Sequence, residues 1–118
     1  MELFDTARRV KRGARFLDKK IPNWRSVLRK HSDEFDFADG EHCVLGTLEH
    51  YSGRMRVLKA RGLKNSNYAF TRAYTKLGIE DRVAGLGFDY NDTEDGWSDE
   101  HANNTKIFNA LWRAEFEK

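Results

Sequence analysis

The sequence predicts an all-α fold, a single domain built as an irregular bundle of about five or six helices. A chain of 118 residues suits one domain with a single modest core. Apolar residues recur at steps of three and four in the first and last segments, which is typical of amphipathic helices. Between these two segments, glycine, proline and helix-capping residues divide the chain into shorter helices.

The first helix is predicted over residues 2–19, where an apolar stripe faces inward and a basic ridge faces outward. The stripe consists of Leu3, Ala7, Val10, Ala14 and Leu17. The ridge consists of Arg8, Arg12, Arg15 and Lys19. Phe16 lies off the stripe, and its ring is expected either to pack beneath a later loop or to be an exposed binding residue.

Pro22 ends the first helix and opens a short second one that reaches residue 30, because proline disfavours helical geometry in the residue before it. The apolar face of this second helix consists of Trp24, Val27 and Leu28. Residues 31–40 are predicted as an extended connection in which the rings of Phe35 and Phe37 fill the core.

A third helix is predicted over residues 41–51, with Asp39 as its N-cap. Its centre, residues 44–48, carries no charge in a chain that is 34% charged, and this contrast predicts burial. The residues assigned to the core are Val44, Leu45, Leu48 and Trp24. Residues 52–67, with two glycines and five bases, are predicted as mostly loop.

Asn67 is expected to cap a fourth helix over residues 68–77. Gly78 is expected to end it, since glycine accepts the left-handed conformation that terminates helices. A short fifth helix is predicted over residues 80–86, followed by Gly87 as its stop and by Phe88, which is directed inward.

The last helix is predicted over residues 99–116, after Ser98 as its N-cap. It carries two apolar stripes, and so broad an apolar surface predicts a helix that is either central or partly at an interface. One stripe holds Ile107, Leu111 and Ala114. The other holds Phe108, Trp112 and Phe116, which are the candidate interface residues.

Six short segments occur in a fixed order along most of the chain. They are residues 13–18 (Gly-Ala-Arg-Phe-Leu-Asp), 22–24 (Pro-Asn-Trp), 43–48 (Cys-Val-Leu-Gly-Thr-Leu), 77–78 (Leu-Gly), 86–89 (Leu-Gly-Phe-Asp) and Trp112. In these segments the chain resembles a family of small uncharacterised proteins of actinobacteria and their phages. It departs from the family pattern at Asn23, where the family has glycine, and at Thr47, where the family has glutamine. The resemblance implies a cytoplasmic, phage-type accessory protein and carries no functional residues.

Charge is distributed unevenly, although the net charge is only +2. Residues 1–30 hold ten Lys/Arg and three Asp/Glu, and residues 51–79 hold seven Lys/Arg and no acid. Residues 80–118 hold ten acids and four bases. The pattern is typical either of basic and acidic surfaces that face one another or of an electropositive face for an anionic partner.

The sequence predicts no catalytic or metal site. Neighbouring helix residues such as His42 and Cys43 point about 100° apart, so a nucleophile–base pair is disfavoured and Cys43 is interpreted as a buried structural cysteine. The set His42, Cys43 and His50 lacks the ligand spacing typical of zinc sites. Residues 91–96 resemble the start of a calcium loop, but its twelfth position is Ala102 instead of glutamate. We therefore expect no enzyme and no cofactor.

The chain has one cysteine, no apolar run long enough to span a bilayer, and no signal-peptide pattern at its N-terminus. These features predict a cytoplasmic protein without a membrane segment.

The sequence supports two functional hypotheses. The first is a non-enzymatic module that binds a host or phage protein, with homo-oligomerisation through the last helix as a variant. The second is a small nucleic-acid-binding protein that uses the basic first helix and residues 54–64. The candidate contact residues are Arg8, Arg12, Arg15, Lys19, Arg54, Arg56, Lys59, Arg61 and Lys64.

Overall fold

A computed structural model describes residues 3–59, 68–89 and 99–118. Within these ranges the chain forms six helices and no strand, which confirms the predicted all-α class. They are α1 (Leu3–Lys20), α2 (Trp24–Lys30), α3 (Val44–Tyr51), α4 (Gly53–Val57), α5 (Ala69–Leu77) and α6 (Asp99–Phe116). The radius of gyration is 13.4 Å, close to the value of about 13.5 Å expected for a folded domain of this length.

Trp112 of α6 lies where α1, α2 and the segment after α5 meet. Its indole N–H donates to the carbonyl of Gly87 over 2.7 Å. Its ring stacks on Phe88 with centroids 5.4 Å apart and meets Trp24 edge-on at 5.8 Å. A Cβ at Gly13 would overlap the carbonyl oxygen of Leu86 and lie 2.9 Å from Cη2 of Trp112. Gly13 therefore allows α1 to pack closely against both the 79–88 segment and α6.

The prediction that Phe108, Trp112 and Phe116 form an interface is wrong, because all three side chains are fully buried within the chain. Residues 31–40 cover this stripe of α6. Phe37 stacks on Phe108 with centroids 4.3 Å apart, and Phe35 meets Phe116 edge-on at 5.2 Å. The broad apolar surface of α6 thus reflects a central helix.

The rings of Phe35 and Phe37 fill the core as the sequence predicts, but the backbone that carries them is not extended. Residues 31–42 form consecutive turns, such as the hydrogen bonds Glu34 N–His31 O at 3.1 Å and Asp39 N–Asp36 O at 3.0 Å. Turns bring the two rings to α6 within a short stretch of chain. Phe16 packs within the fold, which is one of the two outcomes expected for it. Its ring lies edge-on to that of Phe88, with centroids 6.4 Å apart.

Helix α3 begins at Val44, and its N-cap is Cys43 instead of the predicted Asp39. The Cys43 sulfur accepts a hydrogen bond from the amide of Gly46 at 3.4 Å, in the way that a serine oxygen caps a helix. Asp39 instead accepts from the amide of Glu41 at 2.9 Å and bonds to the ring of His42 at 2.7 Å. Its carboxylate thereby organises the turn that precedes the helix.

The core around α3 contains Val44, Leu45 and Leu48, each at most 1% exposed, together with Trp24. A Cβ at Gly46 would overlap the carbonyl oxygen of Gly40 and lie 2.8 Å from the carbonyl carbon of Glu41. The close neighbour of Gly46 is therefore the turn before α3. The glycine that Trp112 approaches is Gly13 in α1.

Residues 53–57 form helix α4, so the prediction of loop for residues 52–67 is wrong there. Ser52 ends α3 with an extended backbone conformation and caps α4, its hydroxyl accepting from the amide of Met55 at 3.3 Å. Met55 is fully buried, which anchors the short helix to the core. Residues 60–67 lie outside the described ranges.

Helix α5 begins at Ala69, one residue later than predicted, and its N-cap is Tyr68 and not Asn67, which lies outside the described ranges. The Ala69 amide donates to the carboxylate of Glu41 at 2.8 Å, so a side chain distant in sequence satisfies the first turn. Gly78 ends the helix with a φ of 71°, as predicted.

The fifth helix predicted over residues 80–86 is absent, and this segment is a series of turns. Its hydrogen bonds have mixed spans: Arg82 N–Ile79 O at 2.9 Å spans three residues, Leu86 N–Arg82 O at 3.0 Å spans four and Phe88 N–Val83 O at 2.9 Å spans five. The carbonyl of Gly87 is bound by Trp112 instead of a following helical turn, and Gly87 has a φ of 74°. The cap predicted at Ser98 lies outside the described ranges, while α6 has the predicted bounds.

We predict that Gly13→Ala lowers the free energy of unfolding by about 1–3 kcal/mol, because the added methyl overpacks against Leu86 and Trp112. Gly53→Ala is the matched control, since a Cβ there meets no atom within 4 Å. This substitution in α4 should be neutral or stabilising by up to about 1 kcal/mol. Urea unfolding followed by far-ultraviolet circular dichroism measures both, and equal effects would contradict the packing at Gly13.

We also predict that the free energy of unfolding falls in the order wild type, Cys43→Ser, Cys43→Ala. Alanine removes the cap of α3, at a cost of about 1 kcal/mol. Serine keeps an acceptor for the Gly46 amide, and its hydroxyl has the Gly40 carbonyl as an acceptor. The same unfolding measurement tests the order, and an alanine variant as stable as the serine variant would exclude a capping role.

Candidate anion-binding surface

The outer face of α1 presents a row of exposed basic side chains. Arg8, Arg12, Arg15 and Lys19 are all exposed, and Lys11 joins them on the same face. From Arg8 to Lys19 the row extends about 16 Å along the helix axis. The opposite face, with Val10, Ala14 and Leu17, is buried against the rest of the fold.

Helix α4 lies next to the C-terminal end of this row. The Arg54 Nε donates to the backbone carbonyl of Lys20 at 2.8 Å, which fixes α4 against the end of α1. The Arg56 Nη2 donates to the carbonyl of His50 at 3.1 Å. The fold therefore joins two basic segments that are 34 residues apart in the chain. We define the basic surface as Arg8, Lys11, Arg12, Arg15, Lys19, Lys20, Arg54, Arg56 and Lys59; Arg61 and Lys64 lie outside the described ranges.

The bases of the other helices hold the fold together. The side chain of Glu49 is only 7% exposed. Its carboxylate binds Arg72 at 2.9 Å and Lys76 at 3.0 Å and so joins α3 to α5. Arg25 pairs with Asp18 and donates to the carbonyl of Glu115 at 3.1 Å, which joins α1, α2 and α6.

Further bases are used in the same way: Arg29 donates to Lys118, and Arg113 donates to the carbonyls of Ser32 and Phe35. By contrast, no side chain of the basic surface is ion-paired with a carboxylate in the described part of the chain. Within the basic surface, Arg12, Arg54 and Arg56 also donate to backbone carbonyls, and all three side chains stay exposed.

Two carboxylates at the edges of the basic surface, Asp5 and Asp18, are already bound. Asp5 pairs with Arg9 at 3.1 Å. Burial opposes ionisation of Asp18, but hydrogen bonds from Trp24 and Arg25 outweigh it and lower the pKa of this carboxyl. An open groove of about 780 Å³ lies beside Lys20, and its lining includes the carboxylate of Glu80. Glu80 marks the edge of the surface on that side.

Tyr51, the last residue of α3, is an exposed aromatic residue beside the bases of α4. Its side chain is 41% exposed, and its ring stacks in parallel on His31 with centroids 3.6 Å apart. Helix α3 ends at this residue, since Ser52 takes an extended conformation and caps α4. The signal for this break is the Ser-Gly pair at residues 52–53, an N-cap followed by glycine.

The aromatic residues that adjoin the second basic segment in sequence are placed differently. Phe70 and Tyr74 are half-buried and pack edge-on with centroids 5.2 Å apart. Tyr68 is 48% exposed and covers Gly40, where a Cβ would overlap its ring. All three belong to the packing of α5 on the turn before α3.

Cys43 lies in an environment that suppresses thiolate chemistry. Burial raises the pKa of its thiol to about 12, so the nucleophilic form is scarce at neutral pH. The neighbouring His42 is bound to Asp39 at 2.7 Å, a hydrogen bond that raises the pKa of the imidazole. His50 lies 3.0 Å from Glu41 on the surface. Each of the two histidines is thus bound to a carboxylate.

Among the described residues, no three His, Cys, Asp or Glu side chains are grouped as a metal ion would require. The calcium-like loop at residues 91–96 lies outside the described ranges. Within those ranges, none of the helices combines the length and the apolarity needed to cross a bilayer.

Comparison with known proteins gives no relative: no protein-family model, curated protein or solved structure matches this chain.

Proposed function

We propose that this protein is a non-enzymatic nucleic-acid-binding module that contacts the phosphate backbone through its basic surface. One observation carries the proposal. Nine exposed bases lie on α1 and within residues 54–59, and the two segments meet where Arg54 binds the Lys20 carbonyl. None of the nine is ion-paired with a carboxylate within the described ranges. Lys and Arg side chains that face phosphates release condensed counterions, and this release is the main source of non-specific affinity for nucleic acids.

The burial of the α6 stripe weighs against the alternative, a module that binds a host or phage protein. Protein interfaces usually have an apolar or aromatic centre. In the described part of the chain the exposed large hydrophobic residues are Tyr51, Val57 and Tyr68. Nucleic-acid interfaces are more polar and more positively charged, which fits the basic surface better. An acidic protein partner and self-association remain alternatives that the experiment below separates.

The low net charge of +2 is compatible with this function. At physiological salt, charges separated by more than about 8 Å are largely screened, so phosphates respond to the local arrangement of charge. The two carboxylates that flank the α1 row, Asp5 and Asp18, are each paired with an arginine. Binding through phosphate contacts should depend strongly on salt and discriminate little between sequences.

We predict that Arg12→Gln/Arg15→Gln weakens binding to single-stranded or duplex oligonucleotides by about tenfold to a hundredfold at 0.1 M salt. The slope of log K against log salt should fall by about 2 in magnitude, one unit for each lost phosphate contact. Fluorescence anisotropy with labelled oligonucleotides between about 50 and 200 mM salt measures both quantities.

Lys30→Gln/Lys106→Gln is the matched control, because it removes the same charge from exposed positions on α2 and α6. It should change affinity by less than about twofold, and an effect equal to that of the test variant would mean that only net charge matters. The absence of binding by the wild-type chain at about 50 mM salt would overturn the nucleic-acid function. Tighter binding to poly-glutamate than to nucleic acid at equal salt would overturn it in favour of an acidic protein partner. Sedimentation of the same mixtures detects self-association. If the self-associated protein carries no oligonucleotide, that result also counts against the proposal.

A further inference from the structure

We infer that the nucleic acid bound by the basic surface is single-stranded, and that one unpaired base stacks on the ring of Tyr51. This inference rests on the proposed function and adds the class of nucleic acid. Tyr51 is the last residue of α3 and lies two residues before α4, which carries part of the basic surface. It is one of three large hydrophobic residues that remain exposed within the described ranges.

The ring of Tyr51 is held in place from behind. His31 lies parallel to it, with an interplanar angle of 8° and centroids 3.6 Å apart. The residue is 41% exposed, and the ring of His50 lies beside it with centroids 6.0 Å apart and an interplanar angle of 53°. We infer that a planar group stacks on the side of the Tyr51 ring that faces away from His31. A ring fixed before binding loses little conformational freedom when a planar ligand stacks on it. A base would extend the stack of His31 and Tyr51 by one layer.

Two guanidinium groups lie close to this ring in the chain and are fixed by the backbone. Arg56 donates to the carbonyl of His50, the residue before Tyr51. Arg54 donates to the carbonyl of Lys20 and links this region to the α1 row. Each of these bonds uses one or two of the five N–H groups of a guanidinium, which leaves donors for phosphate oxygens.

Glu41, which lies beside His50, is already bound within the fold. Glu41 lies 3.0 Å from His50 and also accepts from the Ala69 amide at 2.8 Å. These bonds lower the pKa of the Glu41 carboxyl and hold it in an internal role at the start of α5.

An exposed aromatic ring next to fixed cations is the arrangement by which proteins hold single strands. Phosphates bind the cations while each base offers a planar face to the ring, whatever its identity. In a duplex, each base already stacks on its neighbours and its face is inaccessible. Stacking on the Tyr51 ring therefore adds affinity only for unpaired nucleotides. Base and phosphate are common to single-stranded DNA and RNA, so both are included in the experiment.

The experiment compares wild type, Tyr51→Leu and Tyr51→Phe by fluorescence anisotropy at about 150 mM salt, with oligonucleotides of about 12 nucleotides. Each sequence is presented as single-stranded DNA, single-stranded RNA and duplex DNA. We expect wild type to prefer single strands over the duplex by fivefold or more. Tyr51→Leu should lose about five- to a hundredfold in affinity for single strands, because it removes one stacked base. Tyr51→Phe keeps the ring and should stay within about twofold of wild type.

The salt dependence separates this inference from the proposed function. Stacking releases no counterions, so Tyr51→Leu should leave the slope of log K against log salt unchanged, whereas Arg12→Gln/Arg15→Gln lowers it. An oligonucleotide with abasic sugars at all positions keeps the phosphates but lacks the bases. It should bind wild type as weakly as the normal strand binds Tyr51→Leu, and this test requires no altered protein.

Equal or tighter binding to the duplex, or single-strand affinity that neither Tyr51→Leu nor abasic sugars reduce, would overturn the inference. Salt-dependent binding that Arg12→Gln/Arg15→Gln weakens would leave the proposed function standing in that case. If wild type binds no oligonucleotide at about 50 mM salt, both proposals fail. Preference for RNA or for DNA among the single strands is read from the same titrations, and either preference is consistent with the stacking site.

Discussion

The hydrogen bond from the indole N–H of Trp112 to the carbonyl of Gly87 determines how the long helices meet. A buried indole without an acceptor would cost about 1–3 kcal/mol, so the bond holds the 79–88 segment against α6 at 2.7 Å. That segment in turn lies against Gly13 of α1, where a side chain would overlap Leu86. Trp24 packs edge-on against the same ring and brings in α2. The orientation of α1, and with it the direction of the basic surface, therefore depends on one tryptophan in the centre of the fold.

This arrangement also explains why the bases of the chain have different roles. The helices that surround Trp112 are held at their ends by Arg25 and Arg113, which bind backbone carbonyls of neighbouring segments. Glu49 binds two further bases between α3 and α5. The outer face of α1 lies opposite the face that packs on the core, and its exposed bases have no carboxylate partner within the described ranges. Positive charge without carboxylate partners therefore lies along α1 and α4, and for this reason we propose a polyanionic ligand.

The sequence predicts best what depends on periodicity within one element. Both long helices and the basic row on α1 follow from apolar residues spaced three and four apart, and α6 has the predicted bounds. The errors concern features that tertiary contacts decide. The segment after α5 offers the Gly87 carbonyl to Trp112 of α6 and the Gly85 carbonyl to Arg12 of α1 instead of continuing a helix. Cys43 caps α3 while Asp39 is engaged in the preceding turn. The Phe108 stripe resembled an interface because the rings that cover it come from residues 31–40, far away in sequence. Tyr51 was not identified as a functional residue, because periodicity does not reveal that its ring stacks on His31, which is 20 residues away in the chain.

We propose that nucleic acid binds along the exposed face of α1 and along α4. Backbone amide chemical shifts of ¹⁵N-labelled protein, recorded while a short single-stranded oligonucleotide is added, test this location directly. The largest changes should occur at exposed residues of α1 from Arg8 to Lys20, at Tyr51 and across α4, while amides of α5 and α6 change little. Changes centred on α5 or α6, or the absence of changes in α1 when binding is saturated, would contradict the claim.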